Sequence, residues 1–232
     1  MSAREFRQTR FAPPPGACEI LLVRHGESAP YVDGQPHPLV DGQGDPPLDP
    51  AGHEQARLVA ERVIASGEPI SAIYVTTMQR TQQTAAPLAE RLGIEPIVIP
   101  ELREVHLGEW EGGEFRKRMA EGDPIGVAAR TSGRWDVIPG AEGTEEFAAR
   151  VRSGIRQIAG ANPGKVVAAF VHGGVIGQIL NLASGATGWS FVGADNASIS
   201  HLVVIGDVWL VRCFNDTSHL SPTFSVVPEP LV

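Results

Sequence analysis

Two short apolar runs, each ending in a histidine, constrain this chain more than any other feature. Glu19-Ile20-Leu21-Leu22-Val23 leads into Arg24-His25-Gly26-Glu27, and Lys165-Val166-Val167-Ala168-Ala169-Phe170-Val171 leads into His172-Gly173-Gly174. Runs of this length read as strands. Near-continuous apolar strands are buried on both faces, as in parallel sheets covered by helices. Each run delivers its histidine at the C-terminal end, where α/β sheets hold their ligands.

The remaining chain alternates to match. A long loop rich in Pro, Gly and Asp spans 29–48. Asp49-Pro50 then reads as an N-cap followed by proline in the first turn. Ala56, Val59, Ala60, Val63 and Ile64 share one helical face, and Gly67 ends that helix. A strand over 72–75 leads into a helix from Gln79 to near Gly93, and a third strand covers 97–99. The stretch 109–143 has no clean helical period and reads as an irregular excursion beside the sheet. Phe147, Val151, Ile155 and Ile158 recur at helical spacing within 144–160. A helix over about 175–183 follows the second histidine strand. A hairpin over 202–205 and 208–211 turns at Gly206-Asp207. The expected fold is a three-layer α/β/α sandwich with a mostly parallel central sheet and a C-terminal antiparallel hairpin. One domain is expected over 18–220, with a flexible arm at 1–17 and a tail at 221–232.

Composition narrows the function. With a formal net charge of -8, the chain is a poor partner for nucleic acid or an anionic membrane. No apolar run has the length of a membrane span, and the polar N-terminus lacks a signal-peptide core. Two cysteines cannot make a disulfide framework. The expected setting is the cytoplasm.

Against this acidic background, a local cluster of cations is informative. Arg24, His25, Arg80 and His172 each follow an apolar strand at or just beyond its end. If those strands are neighbours, two guanidiniums and two imidazoles converge on one rim of the sheet. Guanidinium forks match phosphate oxygens, and Gly173 and Gly174, opening a helix, add backbone N–H groups. The expected ligand is a phosphoryl group. Neighbouring cations disfavour the charged form of an imidazole, which leaves His25 neutral and nucleophilic. Glu104 is the best-placed proton source by chain order, with Glu101, Glu109 and Glu111 as competitors. Asp33, His37, Asp41 and Asp45 in the first loop fit no metal-ligand spacing and read as solvated. His106 either lines the pocket or packs. Trp110, Phe115 and Trp135, with Arg130 and Arg134, form either a substrate-selecting wall or ordinary core and surface.

Leu22-Val23-Arg24-His25-Gly26-Glu27, Gln79-Arg80-Thr81-Gln82-Gln83-Thr84-Ala85, Leu102-Arg103-Glu104 with Gly108-Glu109-Trp110-Glu111-Gly112, and Val171-His172-Gly173-Gly174 together resemble the histidine phosphatase superfamily, also called the phosphoglycerate mutase-like family. The resemblance spans roughly 19–215. It implies a covalent phosphohistidine on His25, phosphoryl oxygens held by Arg24, Arg80 and His172, and Glu104 as proton donor and then base. It implies no metal and no cofactor. Family members often carry Asn where this chain has Tyr31, on the loop over the phosphate, so Ser28 or another loop residue is expected to substitute. Pro30-Tyr31 and Gly173-Gly174 depart from the mutase branch and favour hydrolysis.

The leading expectation is a metal-independent phosphomonoesterase acting on a small phosphorylated metabolite and releasing inorganic phosphate. The alternatives are a phosphoglycerate-type phosphomutase and a phospho-ligand-binding protein with vestigial activity. Loops 29–48 and 109–143 are long enough to cap the site and set selectivity. The apolar tail at 224–232 either packs on the domain or joins a homodimer.

Overall fold

The computed structural model describes residues 6–221; the expected tail contacts at 224–232 lie outside them. In chain order the strands and helices are β1 (Cys18–Arg24), β2 (Leu39–Val40), β3 (Gln43–Gly44), α1 (Pro50–Ser66), β4 (Ile70–Val75), α2 (Gln79–Leu92), β5 (Ile97–Val98), α3 (Glu114–Glu121), α4 (Pro124–Ser132), α5 (Thr144–Ala161), β6 (Val166–Val171), α6 (Gly173–Ser184), β7 (Ile199–Ile205) and β8 (Val208–Asp216). The main sheet runs β5-β4-β6-β1-β7-β8. Its first four strands are parallel, β7 pairs antiparallel with β1, and β7–β8 is the expected hairpin.

Side-chain alternation explains the three layers. Ile20 and Leu22 of β1, with Val167, Ala169 and Val171 of β6, pack beneath Phe147, Val151, Ile155 and Ile158 of α5 and Val175, Ile176 and Ile179 of α6. Leu21 and Val23, with Ala168 and Phe170, face the opposite way onto Val59, Ala60 and Val63 of α1 and Ala85, Leu88 and Ala89 of α2. Successive strand residues point to opposite faces, so a run that is apolar throughout needs cover on both. Each fully buried Leu, Ile, Val or Phe contributes about 1.5–3 kcal/mol.

The excursion is more regular than its sequence shows. It contains a 3-10 segment (Gly108–Gly113) and the short helices α3 and α4. α3 has no buried residue, which is why no apolar period marks it. Asp49 caps α1 as expected, its carboxylate accepting from the Gly52 N–H at 2.7 Å. In the N-terminal arm, Phe11 stacks under the Arg212 guanidinium at 3.9 Å, so part of the arm packs on β8. Among the described residues, no helix is long and apolar enough to cross a membrane.

Candidate active site

The register of the sheet assembles the site. β1 and β6 pair with Arg24 opposite Val171, so His25 and His172 leave the sheet side by side. The His25 N–H donates to the Val171 carbonyl at 3.0 Å, and the two rings meet edge-on at 5.2 Å between centroids. β4 lies on the other side of β6 and carries Thr76 just beyond its end. Thr76 Oγ1 lies 3.0 Å from His172 Nε2, and α2 then brings in Arg80.

The partners of His25 determine its tautomer. Nδ1 lies 2.7 Å from the Gly26 carbonyl, which can only accept, so Nδ1 carries the proton. Arg80 Nε–H, which can only donate, points at Nε2 at 3.3 Å. Nε2 therefore presents a lone pair. Burial, then the charges of Arg80 and Arg24, hold the pKa of His25 well below 6.5, so the ring is neutral at neutral pH. Burial and Arg80 depress His172 in the same sense.

The backbone behind His25 is braced from several sides. Its carbonyl accepts from Asn196 Nδ2 at 2.9 Å and from the Ala197 N–H at 3.2 Å. The Gly26 N–H donates to Thr84 Oγ1 at 3.0 Å. Gly26 itself is required by close approach: a Cβ there would stand 2.5 Å from the Gly52 carbonyl of α1.

Two buried nitrogens at this site have no partner among the described residues, the donor Arg24 Nε and His172 Nδ1. Arg24 spends another guanidinium nitrogen on the Ala194 carbonyl at 2.6 Å, and its Nε faces Gly173 at the start of α6. An unmet buried donor costs about 1–3 kcal/mol, so the pocket suits a ligand rich in acceptors. Arg80 donates to the Gly44 carbonyl at 3.1 Å and stands 3.6 Å from Asp45. Burial lowers the pKa of Arg80 to about 10, which leaves it charged at neutral pH.

Of the four acidic candidates, Glu104 reaches the cluster. One carboxylate oxygen accepts from the Gly174 N–H at 3.0 Å and the other from the Val105 N–H at 2.9 Å. Glu101 accepts from Gln157, Glu109 is exposed, and Glu111 ties the Gly44 and Leu107 N–H groups together. Glu104 and His106 also line a cavity of about 510 Å³ with Gln43, Arg103, Glu142 and Arg150. His106 Nδ1 accepts from the Gly108 N–H at 3.1 Å, so it braces that turn as well.

One expectation needs correction, and the other candidates take places of their own. Asp45 is buried, not solvated; its carboxylate caps α2 by accepting from the Gln79 N–H at 3.0 Å, and it is the ion partner of Arg80. Its loop neighbours do not gather with it: among the described residues, no three His, Cys, Asp or Glu side chains form a metal-binding group. Tyr31 donates its hydroxyl to Glu114 at 2.7 Å. Ser28 is buried, and its Oγ accepts from Arg116 at 2.6 Å. Trp110 is core, Trp135 stacks on Trp189 at 4.3 Å, and Arg134 pairs with Asp136 at the surface. Arg116, on α3, is the cation of the excursion that approaches the site. Only a basic residue within a charged helix marks it in the sequence.

Comparison with known proteins agrees with this geometry. A family model described as the histidine phosphatase superfamily (branch 1) matches residues 20–217. The chain is 32% identical to a metal-independent phosphoserine phosphatase of Arabidopsis thaliana, with 88% of this chain and 83% of that one covered. It is 32% identical to a probable phosphoglycerate mutase, GpmB, of Photorhabdus laumondii, covering 87% and 94%. Among solved structures, a mycobacterial glucosyl-3-phosphoglycerate phosphatase superposes with a TM-score of 0.71 at 26% identity, covering 87% of this chain and 100% of that one.

Proposed function

The chain belongs to the histidine phosphatase superfamily, and from that premise we propose that it hydrolyses a small phosphomonoester through a phosphohistidine formed on His25. The observation that carries this reading is the Nε2 lone pair of a neutral His25, fixed by the Gly26 carbonyl on one side and Arg80 on the other.

In the first step His25 Nε2 attacks phosphorus, and the bond to the ester oxygen breaks. The leaving alkoxide takes the proton of Glu104, and the His25 ring, bonded now at both nitrogens, gains positive charge. In the second step Glu104 takes a proton from water, whose oxygen attacks phosphorus. The N–P bond breaks, its electron pair returns to Nε2, and inorganic phosphate leaves. Charge on the equatorial oxygens is met by Arg24, Arg80, His172 and the N-terminus of α6, all held in place before reaction. The chain's own residues supply all of these roles without a metal or cofactor.

Hydrolysis is favoured over phosphoryl return to a second substrate by the departures from the mutase branch at Pro30-Tyr31 and Gly173-Gly174. Gly174 also packs directly on the acid, where a Cβ would lie 2.5 Å from Glu104 Oε1. Phosphate release should be measured from phosphoserine, 3-phosphoglycerate, sugar phosphates and p-nitrophenyl phosphate, with His25→Ala as control. At least one substrate is expected to turn over and His25→Ala to be inactive. An active His25→Ala would refute the mechanism. Phosphate binding without release from any substrate would favour a binding protein instead.

A further inference from the structure

Arg116 is held at the rim of the site by the loop that follows His25. Two of its guanidinium nitrogens donate to Ser28 Oγ at 2.6 Å and to the Ala29 carbonyl at 2.9 Å. The surrounding contacts fix α3 in that place. Tyr31 donates to Glu114 at 2.7 Å, and Lys117 pairs with Asp33 at 2.7 Å. Gly113 lies so close to the Tyr31 ring that a Cβ would stand 2.2 Å from it.

The charge of Arg116 has no partner at contact range. Arg103 pairs with Asp41, Arg118 with Glu114 and Asp123, Arg134 with Asp136, and Arg150 with Glu142. The acceptors of Arg116 are both neutral oxygens, and among the described residues no carboxylate stands within ion-pair distance of it. Its charge nevertheless reaches Arg24, His25 and Arg80, on the two arginines behind the larger attractions of Glu104, Asp195 and Asp45, and Glu27 and Asp49 attract Arg116 itself. Three guanidinium charges thus act on one nucleophile; Arg80 has Asp45 at 3.6 Å, whereas Arg116 has no carboxylate at contact range among the described residues.

We propose that Arg116 is a third phosphoryl-binding guanidinium, supplied by the cap beside Tyr31, whose hydroxyl is spent on Glu114. The proposal rests on the phosphomonoesterase reading of the site. Ser28 lies three residues beyond His25, so a guanidinium bonded to its Oγ is anchored in the same loop as the nucleophile. Two bonds leave Arg116 with further N–H donors, and a transferring phosphoryl group spreads its charge over three equatorial oxygens. With Arg24 supplied by β1 and Arg80 by α2, Arg116 brings the third guanidinium from the excursion.

The test compares the wild type with Arg116→Ala, Arg116→Lys and, as control, Arg156→Ala, which breaks an exposed ion pair with Asp207. Binding of orthovanadate and inorganic phosphate is measured by calorimetry, and turnover with p-nitrophenyl phosphate and phosphoserine. Arg116→Ala is expected to bind both anions at least about ten-fold more weakly. It is expected to lose roughly 10- to 100-fold in kcat/KM on both esters alike. Arg116→Lys and added guanidinium ion should each restore part of the loss, with unchanged thermal midpoints throughout. Arg156→Ala should match the wild type. Unaltered vanadate binding by Arg116→Ala would overturn the proposal. So would a loss confined to phosphoserine, which would make Arg116 a reader of the substrate's carboxylate. Failure of the underlying reading would show separately, as a wild type whose turnover does not need His25.

Discussion

His25 meets two opposed demands in one ring. It must sit among cations to hold a dianion, and it must stay unprotonated to attack one. The neighbouring guanidiniums meet both, since the charges that attract phosphate also keep the proton off Nε2. Arg80 is central because its planar fork spans His25 Nε2 and the Gly44 carbonyl at once. Lysine keeps the charge but cannot reproduce that fork. Arg80→Lys is therefore expected to lower kcat/KM on p-nitrophenyl phosphate by about 100-fold; steady-state kinetics showing less than about a two-fold change would contradict this fork's role. Arg24, His25, Arg80 and His172 were legible in the sequence because each follows a strand end closely. Asp45 and Arg116 were not. Their partners come from distant chain, Ser28 and Arg116 being 88 residues apart, and nothing local distinguishes them from solvated loop charges.

Among the elements, the turn that carries Glu104 depends on α5. All five N–H donors of Arg150 are engaged: Nε and one terminal nitrogen with the Glu142 carboxylate, the others with the carbonyls of Glu101, Arg103 and Glu104 at 2.6–2.8 Å. Gln43 Nε2 donates to the Glu104 carbonyl as well, at 2.8 Å. Arg150→Ala would strand three carbonyls and a half-buried carboxylate. It is expected to cost about 3 kcal/mol in urea unfolding and to reduce kcat more than it raises KM. A cost under about 1 kcal/mol would mean that solvent replaces the clamp. The sheet and its long helices could be anticipated because the continuous apolar runs of β1 and β6 and the caps of α1 are local signals. α3 and α4 could not, since short helices with little buried surface leave no period to read. The adjacency of His25 and His172 is a matter of register, which no single strand encodes.

The whole molecule is acidic, yet its fold gathers buried imidazoles and guanidiniums at one point. His25 and His172 are neutral when folded, with pKa values below 6.5, and protonate near 6.5 when unfolded. The unfolded state thus binds more protons below that pH, so stability falls as pH drops through it. His37 and His219 are shifted the same way. Each buried histidine contributes a slope of up to about 1.4 kcal/mol per pH unit. Denaturant unfolding between about pH 7.5 and 5 should show a steady loss beginning near 6.5. A flat profile would mean that these rings are not held neutral.

The central claim is that His25 Nε2 becomes covalently phosphorylated during turnover. The direct measurement is rapid quench of the wild type with ³²P-labelled substrate, followed by peptide mapping. The account predicts an acid-labile, base-stable adduct on the peptide containing His25, formed and consumed within one turnover and absent from His25→Ala. Turnover with no adduct at the earliest quench times, or an adduct on another residue, would contradict it.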